Sequence, residues 1–324
     1  MGKPWFDMLA LQRNIDFSDI GVILVSDGEE SRLPDDLFTA YPFEVKNLTI
    51  SHKGVSGARN AGMDASDAEW VMICDFDDTF LSVNALHILL TAAKDESKVM
   101  YWSHFMEEIK TTDGKMIYHS HDRDYIFNHG KMFRLDWLRK ENLRFCDQLT
   151  LHEDVYFNTL TQAVAADDQI GEIKGSIYLW CWNPDSVSRQ YTDWILRTFN
   201  HQIKQRIAIA RQLEARGLKE ALDLTVVKTF IDGYYDFQQS RWHAKELRNE
   251  YETAERWYAA FLKEYWHIYK DIDPKKIAAM AKIARTYRVE QGAMLMERQT
   301  LRDFLLHMAK EVLPIPQKEW GLDA

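Results

Sequence analysis

The sequence predicts an α/β domain over residues 1–190 and an all-helical domain over residues 191–324. Two observations carry this. Short apolar runs alternate with helical stretches up to about residue 95, the pattern of a partly parallel sheet with crossover helices. After about residue 190 the period changes, and Ile195, Phe199, Ile203 and Ile207 recur every four positions, as on one face of a helix.

Each element has its own signal. Residues 5–13 read as a short helix. Residues 21–26 (GVILVS) are an apolar strand closed by the turn Asp27-Gly28, and residues 43–50 alternate as a second strand. Residues 57–64 read as a helix with Ser56 as its N-cap. Residues 70–74 form a third strand and residues 84–93 a helix. Strands over 99–109 and 116–119 flank Asp113-Gly114, a hairpin signal. Residues 131–141 mix strand and helix, 154–165 are helical and 173–182 are a strand. Further helices are expected over 219–237, 243–270, 275–287 and 289–310, with Pro274 at a helix start and Pro314 past the last one. The aromatics Trp257, Phe261, Trp266 and Tyr269 either form interhelix core or line an acceptor groove or subunit interface. Stripes this broad need a partner face, so the helical region is expected to pack on the α/β domain, with a homodimer contact as a further expectation.

Composition narrows the function. The chain has 324 residues, 46% hydrophobic, enough for a sizeable core. A formal net charge of -10 argues against a nucleic-acid backbone as main partner, though not against a local basic pocket for one phosphorylated small molecule. The three cysteines Cys74, Cys146 and Cys181 are widely spaced with no CxxC, which points to a reducing compartment. The N-terminus lacks the apolar core of a signal peptide, and no run approaches the roughly 18–20 apolar residues that span a bilayer. A cytoplasmic location is expected, and peripheral membrane contact stays compatible with it.

The chemistry concentrates in residues 54–80, GVSGARNAGMDASDAEWVMICDFDDTF. Three carboxylates, Asp75, Asp77 and Asp78, crowd the end of an apolar strand. They repel one another and are costly to desolvate, so a hard cation among them is the functional explanation and a solvated acidic turn the plain one. Asp77 is the first candidate ligand. If the strand stays extended, alternation places Asp75 on the same side, to hold the metal, a ribose hydroxyl or a water. Asp78 reads as structural. Asp27, at the end of another strand, either accepts from a base or ribose or serves the turn before Gly28. Arg59 either approaches a diphosphate or pairs with a nearby acid, and Lys53 is a weaker diphosphate candidate. Glu153-Asp154 opens a helix, where carboxylates act as caps and dipole partners, or Asp154 serves as a general base with His152 beside it. His104, His119, His121 and His129 have no metal-ligand spacing; His119 and His121 are placed to face a cleft from one side of a strand.

Taken together, these blocks resemble the family 2 glycosyltransferases of GT-A fold, a Rossmann-like mixed sheet that binds nucleoside diphosphate sugars. KGVSGARNAGMDASDAEWVMICDFDD resembles the family's Gly-Val-Ser, Ala-Arg-Asn, apolar strand and acidic signature. VILVSDGEES resembles the earlier strand, with Ser26 in place of the first acid and Asp27 matching the second. GKMFRLDWLRKENLRF with LHEDVYFNTL resembles the acceptor-side block, whose Glu-Asp pair implies a catalytic base at Asp154. YLWCWNPDSVSR resembles the closing strand and its Ser-x-Ser loop, Ser186 and Ser188. The resemblance covers about residues 5–190; the helical region carries no family motif. Family members open with an apolar strand ending in Pro-x-Tyr-Asn, and residues 1–7 correspond to the segment after it. That first strand is therefore expected to be missing, which opens sheet edges and removes a wall of the nucleotide site.

The resemblance implies metal-dependent, inverting transfer of a sugar from a nucleoside diphosphate sugar, with UDP as the expected nucleotide. The acceptor is a hydroxyl on a carbohydrate, a lipid-linked molecule, a protein or another carrier. Manganese or magnesium suits oxygen ligands. Two rivals stand beside it: a nucleotidyltransferase, which needs the same carboxylates, and a noncatalytic binding or assembly protein on a truncated scaffold.

Overall fold

The computed structural model describes residues 3–122, 124–186, 194–241, 244–290 and 292–322. The chain divides into two compact units, Met1–Asp185 and Ser186–Ala324. The first is a mixed α/β sheet structure and the second is all-helical.

In the first unit, helix α1 (Lys3–Ala10) precedes strand β1 (Gly21–Asp27), strand β2 (Glu44–Ile50) and helix α2 (Gly54–Ala65). Strands β3 (Trp70–Met72) and β4 (Thr79–Phe80), helix α3 (Ala85–Ala92) and strands β5 (Met100–Lys110) and β6 (Met116–His121) follow. Strand β7 (Lys131–Arg134), helices α4 (Leu135–Lys140) and α5 (Glu153–Val164) and strand β8 (Ile170–Trp180) complete the unit.

These strands make two sheets. β1 and β2 pair in parallel, from Gly21 opposite Glu44 to Asp27 opposite Ile50. The other six form a sheet in the order β3-β7-β5-β8-β4, with β6 beside the outer half of β5. β5 is its spine. One edge runs parallel to β8, with an irregularity around His104, and the other carries β7 and then β6 in antiparallel pairing. The side chains of β5 are buried from Met100 to Ser103, as expected of a strand covered on both faces.

Among the described residues, β1 and β3 each carry a ladder on one edge only. Between them lies a cavity of ≈ 900 Å³, lined by Val22, Leu24, Trp70, Met72, Phe6 and Leu89 among other residues. An aromatic cluster bridges the sheets around it. Phe6 of α1, fully buried, lies 5.0 Å from Phe38, 6.2 Å from Phe43 and 5.8 Å from Phe76, ring centre to ring centre.

Two local expectations need correction. Ser56 is not an N-cap: α2 begins at Gly54, and Ser56 is buried inside it with its hydroxyl donating to the Leu149 carbonyl. The start of α2 is served instead by Asp27, whose carboxylate accepts from the backbone N–H groups of Lys53 (2.7 Å) and Gly54 (2.8 Å). The last helix does not begin at 289, because Gly292 takes a left-handed φ of 82° that ends the preceding helix.

The second unit contains α6 (Trp194–Ala215), α7 (Lys219–Ser240), α8 (Arg248–Tyr269), α9 (Pro274–Glu290) and α10 (Leu301–Glu311). Thr300 caps α10, its hydroxyl accepting from the Asp303 N–H. Phe199, Ile203 and Ile207 of α6 are buried together with Phe230 and Phe237 of α7, Tyr258 and Phe261 of α8 and Phe304 of α10. Trp257 is likewise buried, whereas Trp266 and Tyr269 are half-buried against Phe230.

Gly233 marks a close approach of α7 to α8. A Cβ there would stand 2.1 Å from the Tyr258 ring, far inside contact distance. Gly233→Ala is expected to destabilise the protein by about 1–3 kcal/mol, the usual cost of forcing an extra carbon into a packed core. A thermal melt reads this directly. Helix propensity alone would make alanine the better residue, so an unchanged or raised melting midpoint would refute the close-packing account.

Candidate active site

Strand β3 ends at Met72, earlier than the sequence suggests, and the chain from Ile73 to Asp78 leaves the ladder. The Asp78 N–H donates to the Asp75 carbonyl at 3.2 Å, closing a turn. This turn decides where the three carboxylates go. It brings Asp75 and Asp78 together and leaves Asp77 exposed, where the Asn183 side chain donates to its carboxylate at 2.7 Å. Strand alternation, which would pair Asp75 with Asp77, no longer operates at these positions.

Arg59, on α2, links the acidic turn to α5. Its guanidinium donates to Asp75 at 2.9 Å and to Glu153 at 2.6 Å, and it lies 5.3 Å from the centre of the Phe145 ring. Of the two roles open to it in sequence, the structure gives it paired acids, and two rather than one. Its side chain is only 11% exposed. Burial works against its charge, but Asp75 and Glu153 outweigh that and hold it protonated above its usual range. In return, Arg59 overcomes the cost of burial at Asp75 and holds that carboxylate below its usual range.

Asp78 is buried to 4% exposure. It accepts from the Tyr178 hydroxyl at 2.8 Å and the Cys181 N–H at 2.9 Å. Burial, with Asp75 adding repulsion, still pushes its pKa up to about 8. His129 stands beside it, Nδ1 3.5 Å from the Asp78 carboxylate, its ring stacked against Tyr178 and Trp180. Burial lowers the His129 pKa to about 4, so the ring is neutral at pH 7. A neutral imidazole has a lone pair to give, which is the form a metal requires.

Asp75, Asp78 and His129 each offer a ligand atom, and these atoms lie within 4.8 Å of one another. Two carboxylates and a neutral imidazole fit a divalent cation, and the raised Asp78 pKa reports negative charge in need of compensation. His129 carries no sequence signal for this; it precedes an ordinary strand, and only the fold brings it to Asp78.

Asp154 follows Glu153 at the start of α5, after His152 in a left-handed conformation. It is half-buried. Burial and then repulsion from Glu153 push its pKa up to about 7. Its backbone carbonyl accepts from Asn158, whose side chain also donates to Asn128 and to the Ile126 carbonyl, so the first turn of α5 is tied to the loop before β7. Lys131 lies beneath that loop, 1% exposed, bonded to the Phe127 carbonyl and 3.7 Å from Asp124.

The structure thus gathers Arg59, Asp75 and Glu153, with Asp154 adjoining them in the chain. Asp27 and Lys53 sit together at the start of α2, with both Asp27 oxygens engaged there. Ser186 ends a described segment, and Ser188 lies outside the described residues. His121 pairs with Glu107 at 2.9 Å, and His104 stands 3.3 Å from Asp122 and 3.5 Å from Glu172.

Residues 7–165, just under half of the chain, match the family model described as Glycosyl transferase family 2. No curated protein matches the chain. Among solved structures, residues 1–349 of TarS from S. aureus in complex with UDP superpose with a TM-score of 0.54 at 13% identity, over 89% of this chain and 87% of that one. The same TarS piece in complex with UDP-GlcNAc gives a TM-score of 0.55 at 13% identity, over 90% and 89%. A longer TarS structure gives 0.57 at 13% identity and covers 88% of this chain, which spans 50% of that one. At this identity the likeness speaks for a shared fold.

Proposed function

We propose that this protein is a glycosyltransferase that moves a sugar from a UDP-sugar to an acceptor hydroxyl with inversion, using a divalent cation. The observation that carries the reading is the Asp75–Arg59–Glu153 bridge beside the Asp75–Asp78–His129 cluster, all within the segment matched by the family model. TarS has been solved with UDP and with UDP-GlcNAc, which supports uridine as the base.

In this reading Asp75, Asp78 and His129 would hold manganese or magnesium, with Asp77 as a further ligand. The cation would supply neutralisation of the charge that develops on the leaving diphosphate. Arg59 fixes Asp75 relative to α5, so the donor side and the acceptor side of the site keep one spacing. Asp154, with its raised pKa, takes the proton of the acceptor hydroxyl as that oxygen attacks the anomeric carbon from the face opposite the diphosphate.

Titration calorimetry with a panel of nucleoside diphosphates, with and without Mn²⁺, is the first test. UDP is expected to bind only with the metal, and Asp77→Ala is expected to abolish that metal-dependent binding while leaving the fold intact. Undiminished metal-dependent affinity in Asp77→Ala would remove Asp77 from the ligand set. Absence of binding across the whole panel would favour a noncatalytic protein, and release of pyrophosphate rather than UDP in a product assay would favour a nucleotidyltransferase.

A further inference from the structure

Helix α9 stands apart from the rest of the second unit. None of its residues is fully buried. Polar links tie it to α7: Arg288 pairs with Asp232 at 3.1 Å and Asp236 at 2.9 Å, and the Tyr235 hydroxyl donates to the Ala281 carbonyl. Its sequence, PKKIAAMAKIARTYRVE, places Lys275, Lys276, Lys282, Arg285 and Arg288 ahead of its one acid, Glu290, in a chain whose net charge is -10. Arg285 and Arg288 are spent on ion pairs with Glu297 and with α7. Lys275, Lys276 and Lys282 are exposed and make no ion pair among the described residues.

The same exposed face carries apolar side chains. Ile283 is 70% exposed and Tyr287 is 62% exposed. With Ala279 they form a row at spacing i, i+4, i+8, so they lie one above another along the helix. Lys275 continues that row one turn earlier, while Lys282 falls on one flank of it and Lys276 on the other. Val289 and, just past the helix, Met294 add exposed apolar surface.

From this arrangement we infer that α9 is a docking surface for an anionic lipid bilayer. A soluble polyanion would satisfy the lysines but offers nothing to Ile283 and Tyr287. A bilayer surface serves both: phosphate head groups meet the ammonium groups, tyrosine suits the head-group level and isoleucine the acyl boundary. No helix among the described residues is long and apolar enough to cross a membrane, so the contact is peripheral.

Sedimentation of the full chain with vesicles tests the inference. Binding is expected to vesicles of phosphatidylcholine with one quarter phosphatidylglycerol, not to phosphatidylcholine alone, and to weaken at 0.5 M NaCl. Each lysine near such a surface contributes roughly fivefold in partition, so Lys275→Glu with Lys276→Glu and Lys282→Glu should lower binding more than tenfold. Ile283→Asp with Tyr287→Asp should lower it as well, while all five positions are exposed and circular dichroism should report an unchanged fold. If the lysine triple variant failed to fold, Lys275→Gln with Lys276→Gln would carry the charge test. Equal binding to both vesicle types, or to neither, would overturn the inference. So would vesicle binding untouched by the Ile283 and Tyr287 changes together with equal capture by dextran sulfate, because that pattern describes a polyanion site.

Discussion

Asp154→Asn is expected to lower sugar transfer by about 100- to 10,000-fold, the range for loss of a general base, while donor binding stays nearly intact. The amide keeps the shape of the side chain but cannot accept the acceptor's proton. The stability of the same variant separates this role from capping. The Asp154 pKa is raised in the folded protein from its ordinary 3.8 to about 7. The folded state therefore binds more protons than the unfolded state across that window, and the contribution of Asp154 to stability falls as pH rises through it. At pH 8 wild type carries the full burden of a half-buried charge beside Glu153, and the asparagine variant does not. Urea unfolding at pH 8 should thus show the variant as stable as wild type or more so, whereas loss of a helix cap would cost about 1 kcal/mol. In wild type, kcat/KM should rise with pH along a limb centred near 7. Near-normal turnover in the variant, or a flat pH profile between 5 and 8, would exclude Asp154 as the base.

Removing the guanidinium at Arg59 is expected to have the largest effect on stability of any single change in the site. Arg59→Met leaves Glu153, itself 11% exposed, without its cation, and removes the partner of Asp75 in the same step. Breaking a buried pair from one side typically costs about 3–5 kcal/mol, because the remaining charge is uncompensated. Arg59→Lys should recover only part of this, since a single ammonium cannot reproduce the fork that reaches Asp75 with one nitrogen and Glu153 with the other. Chemical denaturation followed by tryptophan fluorescence gives the number, and a loss below about 1 kcal/mol would mean the bridge is not structural. Double-mutant cycles with Glu153→Gln would then show whether the coupling runs mainly to α5 or to the acidic turn.

The division between what could and could not be read from the sequence follows distance along the chain. Elements with strong local periodicity, such as β1, β5 and the long helices, are visible in the apolar pattern. β4 is only two residues long and offers no period to detect. The start of α2 is misread because its capping acid, Asp27, lies 26 positions upstream of Lys53. Asp75 and Glu153 are legible as acids at the ends of elements and Arg59 as a base within a helix, but their bridge spans 94 positions and belongs to the tertiary structure. His129 is the clearest omission. Its neutrality and its place beside Asp78 come from burial among Tyr178, Trp180 and Phe127, and of these only Phe127 is near it in the chain.

The one-sided ladders of β1 and β3 carry a consequence for how the first unit opens. A two-stranded sheet is marginal in water, so β1 and β2 depend on the aromatic cluster around Phe6 and on α2 rather than on neighbouring strands. Their amide protons should exchange with deuterium through a local opening well below the global unfolding free energy, while the amides of β5, paired on both edges, should wait for global unfolding. Because Asp27 at the end of β1 holds the first amides of α2, that opening would loosen the helix that carries Arg59. The helix that carries Arg59 then belongs to a cooperative unit of lower protection than the sheet that carries Tyr178, and ligands that contact Arg59 should slow exchange there first.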